Sequence, residues 1–264
     1  MKNVALPLKI AGMFLLVCLS ISCNKPAPES KKPKKIPTSV TDIDGNTYNV
    51  MRIENKLWMT ENLRVTRYDT KSSCAKDTIF EATKNQAVDS QKPYFKDARN
   101  FKESPYTDNL TDEIRNSLGF LYNWCAATGA KKNNATVEDK VQGICPNGWR
   151  LPTSADLDSL CYYLDGKEIA GKKLKSKYGW YVTSGTDESG MNCYPAGLAI
   201  KNDVAFVGKQ TMFWSTKSLQ TNNTKADALH LIFNQDNAEV KSINKEQANS
   251  VRCVLDLDKS FAGF

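Results

Sequence analysis

Residues 2–23 constrain this chain before any other segment does. Lys2 and Lys9 flank the start of a thirteen-residue uncharged run, Ile10 to Ser22, and the small residue Ser22 precedes Cys23. A helix that crosses a bilayer core needs roughly twenty apolar residues, so this run is too short to span. A basic start, a short apolar middle and a small residue before the cut describe a secretory signal. The consequence for folding is chemical, because thiols of exported chains oxidise. With Cys18 and Cys23 set aside, six cysteines remain as disulfide candidates: Cys74, Cys125, Cys145, Cys161, Cys193 and Cys253. Their even number favours pairing and leaves the connectivity open. A metal site is the poorer reading, since no C-x-x-C spacing occurs and His230 is the only histidine. No metal or cofactor is expected.

Leu19-Ser20-Ile21-Ser22-Cys23 resembles the lipobox of bacterial lipoproteins, in which the cysteine is acylated and becomes the new N-terminus. The resemblance implies a signal peptide over 1–22 and a lipidated (palmitate-type) Cys23. Residues 23–38 then form a spacer. Its Asn24–Pro37 stretch has four prolines, several lysines and no aromatic, so it cannot bury enough surface to fold. No acidic run follows Cys23, and Asn24 is not the aspartate linked to inner-membrane retention. The expected location is the outer membrane of the cell envelope, facing the periplasm. The membrane is the expected partner through this anchor.

The formal charge of +7 is concentrated at this end. Residues 1–36 hold seven lysines against Glu29 alone, which leaves the rest of the chain nearly neutral. A nucleic-acid-binding domain concentrates basic residues on its folded face. That class is excluded.

Residues 42–60 read as a β-hairpin, with turn signals at Asp44-Gly-Asn46 and Glu54-Asn-Lys56. The Asp42/Asp44/Asn46 spacing has an outline of a calcium loop, but the glycine comes too early and the closing glutamate is missing. Residues 66–117 are polar and read as a loosely structured insertion. Thr153 caps a helix in which Leu157, Leu160, Cys161 and Leu164 share one face and Asp165-Gly166 ends the run. From Trp180 onward the pattern is of short strands: 180–182, 192–200, 204–207, 211–214, 226–233 and 251–254. Helices early and strands late predict an α+β fold.

Seven separated motifs then occur in order: Asp44-Gly-Asn-x-Tyr48, Leu57-Trp-Met-Thr-Glu-Asn-Leu63, Leu121-Tyr-Asn-Trp124, Cys145-Pro-Asn-Gly-Trp-Arg-Leu-Pro-Thr153, Pro195-Ala-Gly197, Phe213-Trp-Ser215 and Ser250-Val-Arg-Cys-Val254. Together they closely resemble the Fibrobacter succinogenes major paralogous domain, a family common in Bacteroidetes and often found on lipoproteins. The resemblance covers 39–256 and leaves 257–264 as a tail. The helix after Trp-Arg-Leu-Pro-Thr, the later Phe-Trp-Ser and the final Val-Arg-Cys strand also resemble C-type lectin-like domains. That analogy implies a single disulfide-stabilised α+β domain with short antiparallel strands and one or two helices, its last strand beside the first hairpin. It further implies that Cys253 pairs with Cys145, or failing that Cys161, and that Cys74 pairs with Cys125.

For function, the residues favour binding over catalysis. His230 lies within an apolar strand, and the carboxylates Asp156, Asp158, Asp187 and Glu188 show no spacing for glycoside cleavage. Aromatics outside an evident core face, Trp180 and Tyr181 with Tyr162 and Tyr163, are candidates to stack on sugar rings. The expectation is a non-enzymatic recognition or adhesion module for polysaccharide or an envelope protein. The alternatives are a structural part of a surface assembly, or an enzyme related to the formylglycine-generating architecture, which free thiols would favour.

Overall fold

Three antiparallel-dominated sheets carry the fold, with short helices between them. The computed structural model describes residues 33–82, 89, 91–101, 110–131, 135, 137, 139–182, 184–200, 203–219, 223–258 and 260–261. The signal segment and Cys23 lie outside them. The strands are β1 (Ser39–Thr41), β2 (Thr47–Ile53), β3 (Lys56–Met59), β4 (Phe80–Glu81), β5 (Tyr94–Asp97), β6 (Phe120–Asn123), β7 (Leu198–Ile200), β8 (Asp203–Ala205), β9 (Gln210–Ser218), β10 (Lys225–Ile232), β11 (Glu239–Asn244), β12 (Gln247–Asn249) and β13 (Val254–Asp256). The helices are α1 (Asp112–Ser117), α2 (Trp124–Thr128), α3 (Ser154–Tyr163) and α4 (Lys167–Leu174).

The first sheet has the order β1-β2-β3-β13, the second β11-β10-β9 and the third β4-β5-β6-β12-β7-β8. The 42–60 hairpin forms as β2 and β3, with Met51 opposite Trp58. The last strand returns beside it, Val254 opposite Trp58. Bridges from Phe213 to Ser250 and from Gly197 to Thr211 bring β9 beside the ends of β12 and β7 in the third sheet.

This architecture corrects the α+β expectation. Thirteen strands stand against four α-helices among the described residues, and the longest helix has ten residues. Only α3 and α4 pack on the sheets as a pair among the described residues, and strands come before and after the helices rather than only after them. The described residues of 66–117 are also more ordered than their polarity suggested. They supply β4, β5 and α1, and β5 pairs with β6 in the register Phe95 to Tyr122. A few aromatics suffice there: Phe95 stacks on Phe120 with centroids 4.8 Å apart. Tyr94 is buried and its hydroxyl donates to the Glu246 carbonyl at 2.6 Å. Conversely, 180–182 is no strand, because Val182 has φ +67°.

The largest buried cluster joins Tyr48, Tyr122, Trp124 and Trp214 around the disulfide Cys145–Cys253. A second lies between α3, α4 and the first two sheets, with Trp58, Leu157, Leu160, Trp180 and Phe213. Gly171 lets α4 lie against the β10–β11 turn, since a Cβ there would sit 2.0 Å from the Asn237 carbonyl oxygen.

Candidate functional site

The seven motifs fold inward. The Asp42 carboxylate accepts from the amides of Asp44 and Asn46 and from the Tyr48 hydroxyl, the last at 2.6 Å. It closes a turn with donors, which is the opposite of a cation site. Asn123 caps α2 by accepting from the Ala126 amide at 3.0 Å. The Trp214 indole donates to the Tyr122 carbonyl at 2.7 Å, and the Trp124 indole to the Ser215 carbonyl at 3.2 Å. Arg150 forks between Asp156 at 2.7 Å and Asp256 at 2.6 Å, and so pins the start of α3 to β13. Thr153 and Asp156 complete a capping box on the same helix. Arg252 is 2% exposed, lies over the Phe213 ring and donates to Asn62 and to the carbonyls of Met191 and Asn192.

The cysteines divide differently from the expectation. Cys145 pairs with Cys253, the pairing implied first. Cys74, Cys125, Cys161 and Cys193 are buried and form no disulfide, so the expectation of disulfides at these four positions, including Cys74 with Cys125, is corrected. Geometry decides pairing, and parity of the count does not. The Cys74 sulfur fills the space over Gly129, where a Cβ would meet it at 1.9 Å. Cys125 faces the Gln91 carbonyl. Burial pushes the thiols of Cys125 and Cys161 up to about 12 and that of Cys193 to about 11. A reactive cysteine needs the reverse, an exposed thiol of lowered pKa.

Trp180 is a core residue, which corrects its assignment as a stacking platform. It is 7% exposed, and its indole donates to the Cys193 carbonyl at 3.1 Å and the Ser176 hydroxyl at 3.2 Å. The buried Lys175 ammonium lies 5.4 Å from its ring centroid and donates to the Gln235 carbonyl at 2.7 Å. Tyr181 is half-buried, edge-on to Phe233. His230 is buried, its Nε2 2.9 Å from Gln210 Oε1, and burial lowers its pKa to about 4. Asp187 accepts from the Asn192 amide at 2.7 Å, and Glu188 pairs with Lys173. Among the described residues no group of three or more His, Cys, Asp or Glu side chains could hold a metal.

Among the described residues, a cleft opens at the α3–α4 elbow. Asp165 (φ +70°) and Gly166 (φ +102°) turn the chain sharply between the two helices. The turn brings Lys167 back over α3, where its ammonium meets the Asp158 carboxylate at 2.7 Å. That carboxylate raises the Lys167 pKa, mainly through their hydrogen bond. The β2–β3 turn forms the facing wall with Glu54, held near by the Lys56–Asp156 ion pair at 3.4 Å. Glu54, Asp158, Ser159, Tyr162, Gly166 and Lys167 line about 430 Å³. Tyr162 is 85% exposed at its rim, a flat apolar face beside two carboxylates, an amine and a hydroxyl.

Of the aromatics singled out in the sequence, only Tyr162 joins this cleft. Glu54 gave no sequence signal, because it sits about a hundred residues before its neighbours in the site.

Comparison with curated proteins and with solved structures gives no match. The lectin-like analogy therefore gains no support from either. The motifs carry the chain's relationship by themselves: a sequence model of the Fibrobacter succinogenes major domain matches residues 51–255, and the chain belongs to that family.

Proposed function

We propose that this chain is an envelope-anchored, non-enzymatic recognition module whose α3–α4 cleft holds a segment of neutral polysaccharide. The observation that carries the reading is Tyr162, 85% exposed over a cleft that also presents carboxylates, an amine and a hydroxyl. A sugar ring offers an apolar C–H face that packs on an aromatic ring. Its hydroxyls both donate and accept, which matches acceptors at Glu54 and Asp158, a donor at Lys167 and either role at Ser159. The cleft's volume lies within the range of ligand sites, roughly 300–1,000 Å³. Its open shape suits a polymer crossing the surface better than an enclosed small molecule. The signal and lipobox-like Cys23 support attachment to the outer membrane. The buried, protonated thiols weigh against the cysteine-dependent enzyme reading.

The test is retention of the oxidised full chain on insoluble polysaccharides and peptidoglycan, with and without chelator. The expected result is saturable, chelator-independent binding that Tyr162→Ala weakens at least about tenfold, the loss of one stacked ring. Binding that Tyr162→Ala leaves intact, or no retention on any glycan, would overturn it.

A further inference from the structure

The two walls of the elbow cleft are joined by a closed circuit of charged side chains. Lys56 opens β3 directly after the turn residues Glu54 and Asn55, and its ammonium lies 3.4 Å from Asp156 Oδ1 on α3. The other oxygen of Asp156 accepts from Arg150 Nη1 at 2.7 Å and from the Thr153 amide at 2.8 Å. Arg150 then reaches β13, where its Nε and Nη2 donate to the two oxygens of Asp256 at 2.9 and 2.6 Å. Asp256 stands opposite Lys56 in the β3–β13 register, so strand pairing closes the circuit. Lys140 adds a second cation on Asp256 at 3.1 Å.

The side chains of Lys56, Arg150 and Asp156 are 18%, 10% and 8% exposed, so salt screens these contacts less than it screens surface pairs. The backbone adds to the hold: the Leu257 amide, next after β13, donates to the Asn55 carbonyl at 2.8 Å. Further along α3, Asp158, Ser159 and Tyr162 line the cleft, and a displacement of the helix at Asp156 moves them too. Ile53 and Trp58 also pack with Leu157 and Leu160 between the same two walls. That apolar contact is non-directional. The bidentate grip of Arg150 on Asp256 and its bond to Asp156 supply direction.

We propose that Lys56 and Arg150 are positioning residues of the cleft, and that the circuit fixes the distance between the Glu54 turn and α3. That distance sets how well one ligand reaches both Glu54 and Tyr162. The ligand half of this inference rests on the reading of the cleft as a glycan site, whereas the spacing of the walls does not.

Lys56→Met is the informative variant, because it keeps an apolar stem and leaves Asp156 its Arg150 and Thr153 partners. The experiment uses the oxidised full chain with Cys18 and Cys23 changed to serine and spin labels on Asn55→Cys and Tyr163→Cys. Both positions are exposed, one in the turn and one on α3, and neither lines the cleft. The four native free thiols are buried. Dipolar electron spin resonance without ligand should give one narrow distance with Lys56, a longer and broader distribution with Lys56→Met, and the narrow one again with Lys56→Arg. Retention on an insoluble polysaccharide that holds the native chain should fall about fivefold for Lys56→Met and recover for Lys56→Arg. An unchanged distance distribution in Lys56→Met would assign the spacing to apolar packing and overturn the proposal. Full retention of Lys56→Met where Tyr162→Ala loses it would overturn it equally. A distance change beside undiminished retention of Tyr162→Ala would instead overturn the glycan reading and support the circuit as the spacer of the walls.

Discussion

The motif frame and the α3–α4 elbow use the same residue types to opposite ends. In the frame, Trp124, Trp214 and Arg252 are all at most 2% exposed, and the two indoles and the guanidinium hand their N–H groups to partners inside the protein. At the elbow, Tyr162 and the Asp158–Lys167 pair face water across an open cleft. The residues by which the family is recognised thus build the scaffold. Residues with no part in those motifs shape its accessible surface. Family membership accordingly speaks to the fold, and the proposed ligand contacts lie at the elbow, outside the motifs.

The comparison can be broken first at the disulfide. Cys145 and Cys253 are 108 residues apart, and closing so long a loop restrains the unfolded chain by about 4–5 kcal/mol. Cys253→Ser should lower the unfolding free energy by about that amount in denaturant titrations. A loss below about 1 kcal/mol would show that the frame does not need the bond. Trp180→Ala follows, at about 3–4 kcal/mol for a large aromatic removed from a packed core. Its thermal unfolding should shift downward, and any change in glycan retention should disappear at temperatures where the variant stays folded. A ligand role for Trp180 would give the reverse.

Acid sharpens the contrast within the frame. His230 titrates near 4 when folded, against about 6.5 for the free side chain, so the unfolded state binds the extra proton first. Its contribution is present above about pH 6.5 and is lost as pH falls toward 4, a difference on the order of 3 kcal/mol. His230→Gln should flatten that part of the stability–pH curve, and an unchanged slope would assign it to other groups. Asp256 acts lower. Arg150 holds its carboxyl at about 2, so its contribution persists above about 3.8 and fades as pH falls through 2. Asp256→Asn should remove this last acid-dependent step. The smallest effect on stability belongs to the elbow: Tyr162→Ala should change the unfolding free energy by less than about 0.5 kcal/mol. A larger loss would place Tyr162 in the frame.

Local chemistry was legible in the sequence wherever neighbours along the chain decide the outcome. Thr153, Asp156 and the Leu157/Leu160/Cys161/Leu164 stripe predicted α3, and the turn residues at 54–56 predicted the first hairpin. Long-range pairing was hidden. The third sheet is assembled from strands of two to four residues drawn from positions 80 to 249, too short for alternation to register. That is why a strand-dominated fold read as α+β and why 66–117 read as a loose insertion. The cysteine count was even, but only one pair meets, because parity carries no distance. The elbow cleft was half visible. Tyr162 was noted as an aromatic outside a core face, whereas Glu54 enters the site through long-range contacts, the packing of Ile53 and Trp58 on α3 and the Lys56–Asp156 pair.

The most direct test of the division between frame and surface is a residue-resolved NMR titration of the isotopically labelled chain, using a soluble oligosaccharide of whichever glycan retains it. Shifts confined to Glu54, residues 158–167 and their immediate neighbours, with the indole N–H signals of Trp124 and Trp214 unmoved, are the predicted result. Perturbation centred on those indoles or on residues 149–153, with the elbow silent, would contradict it.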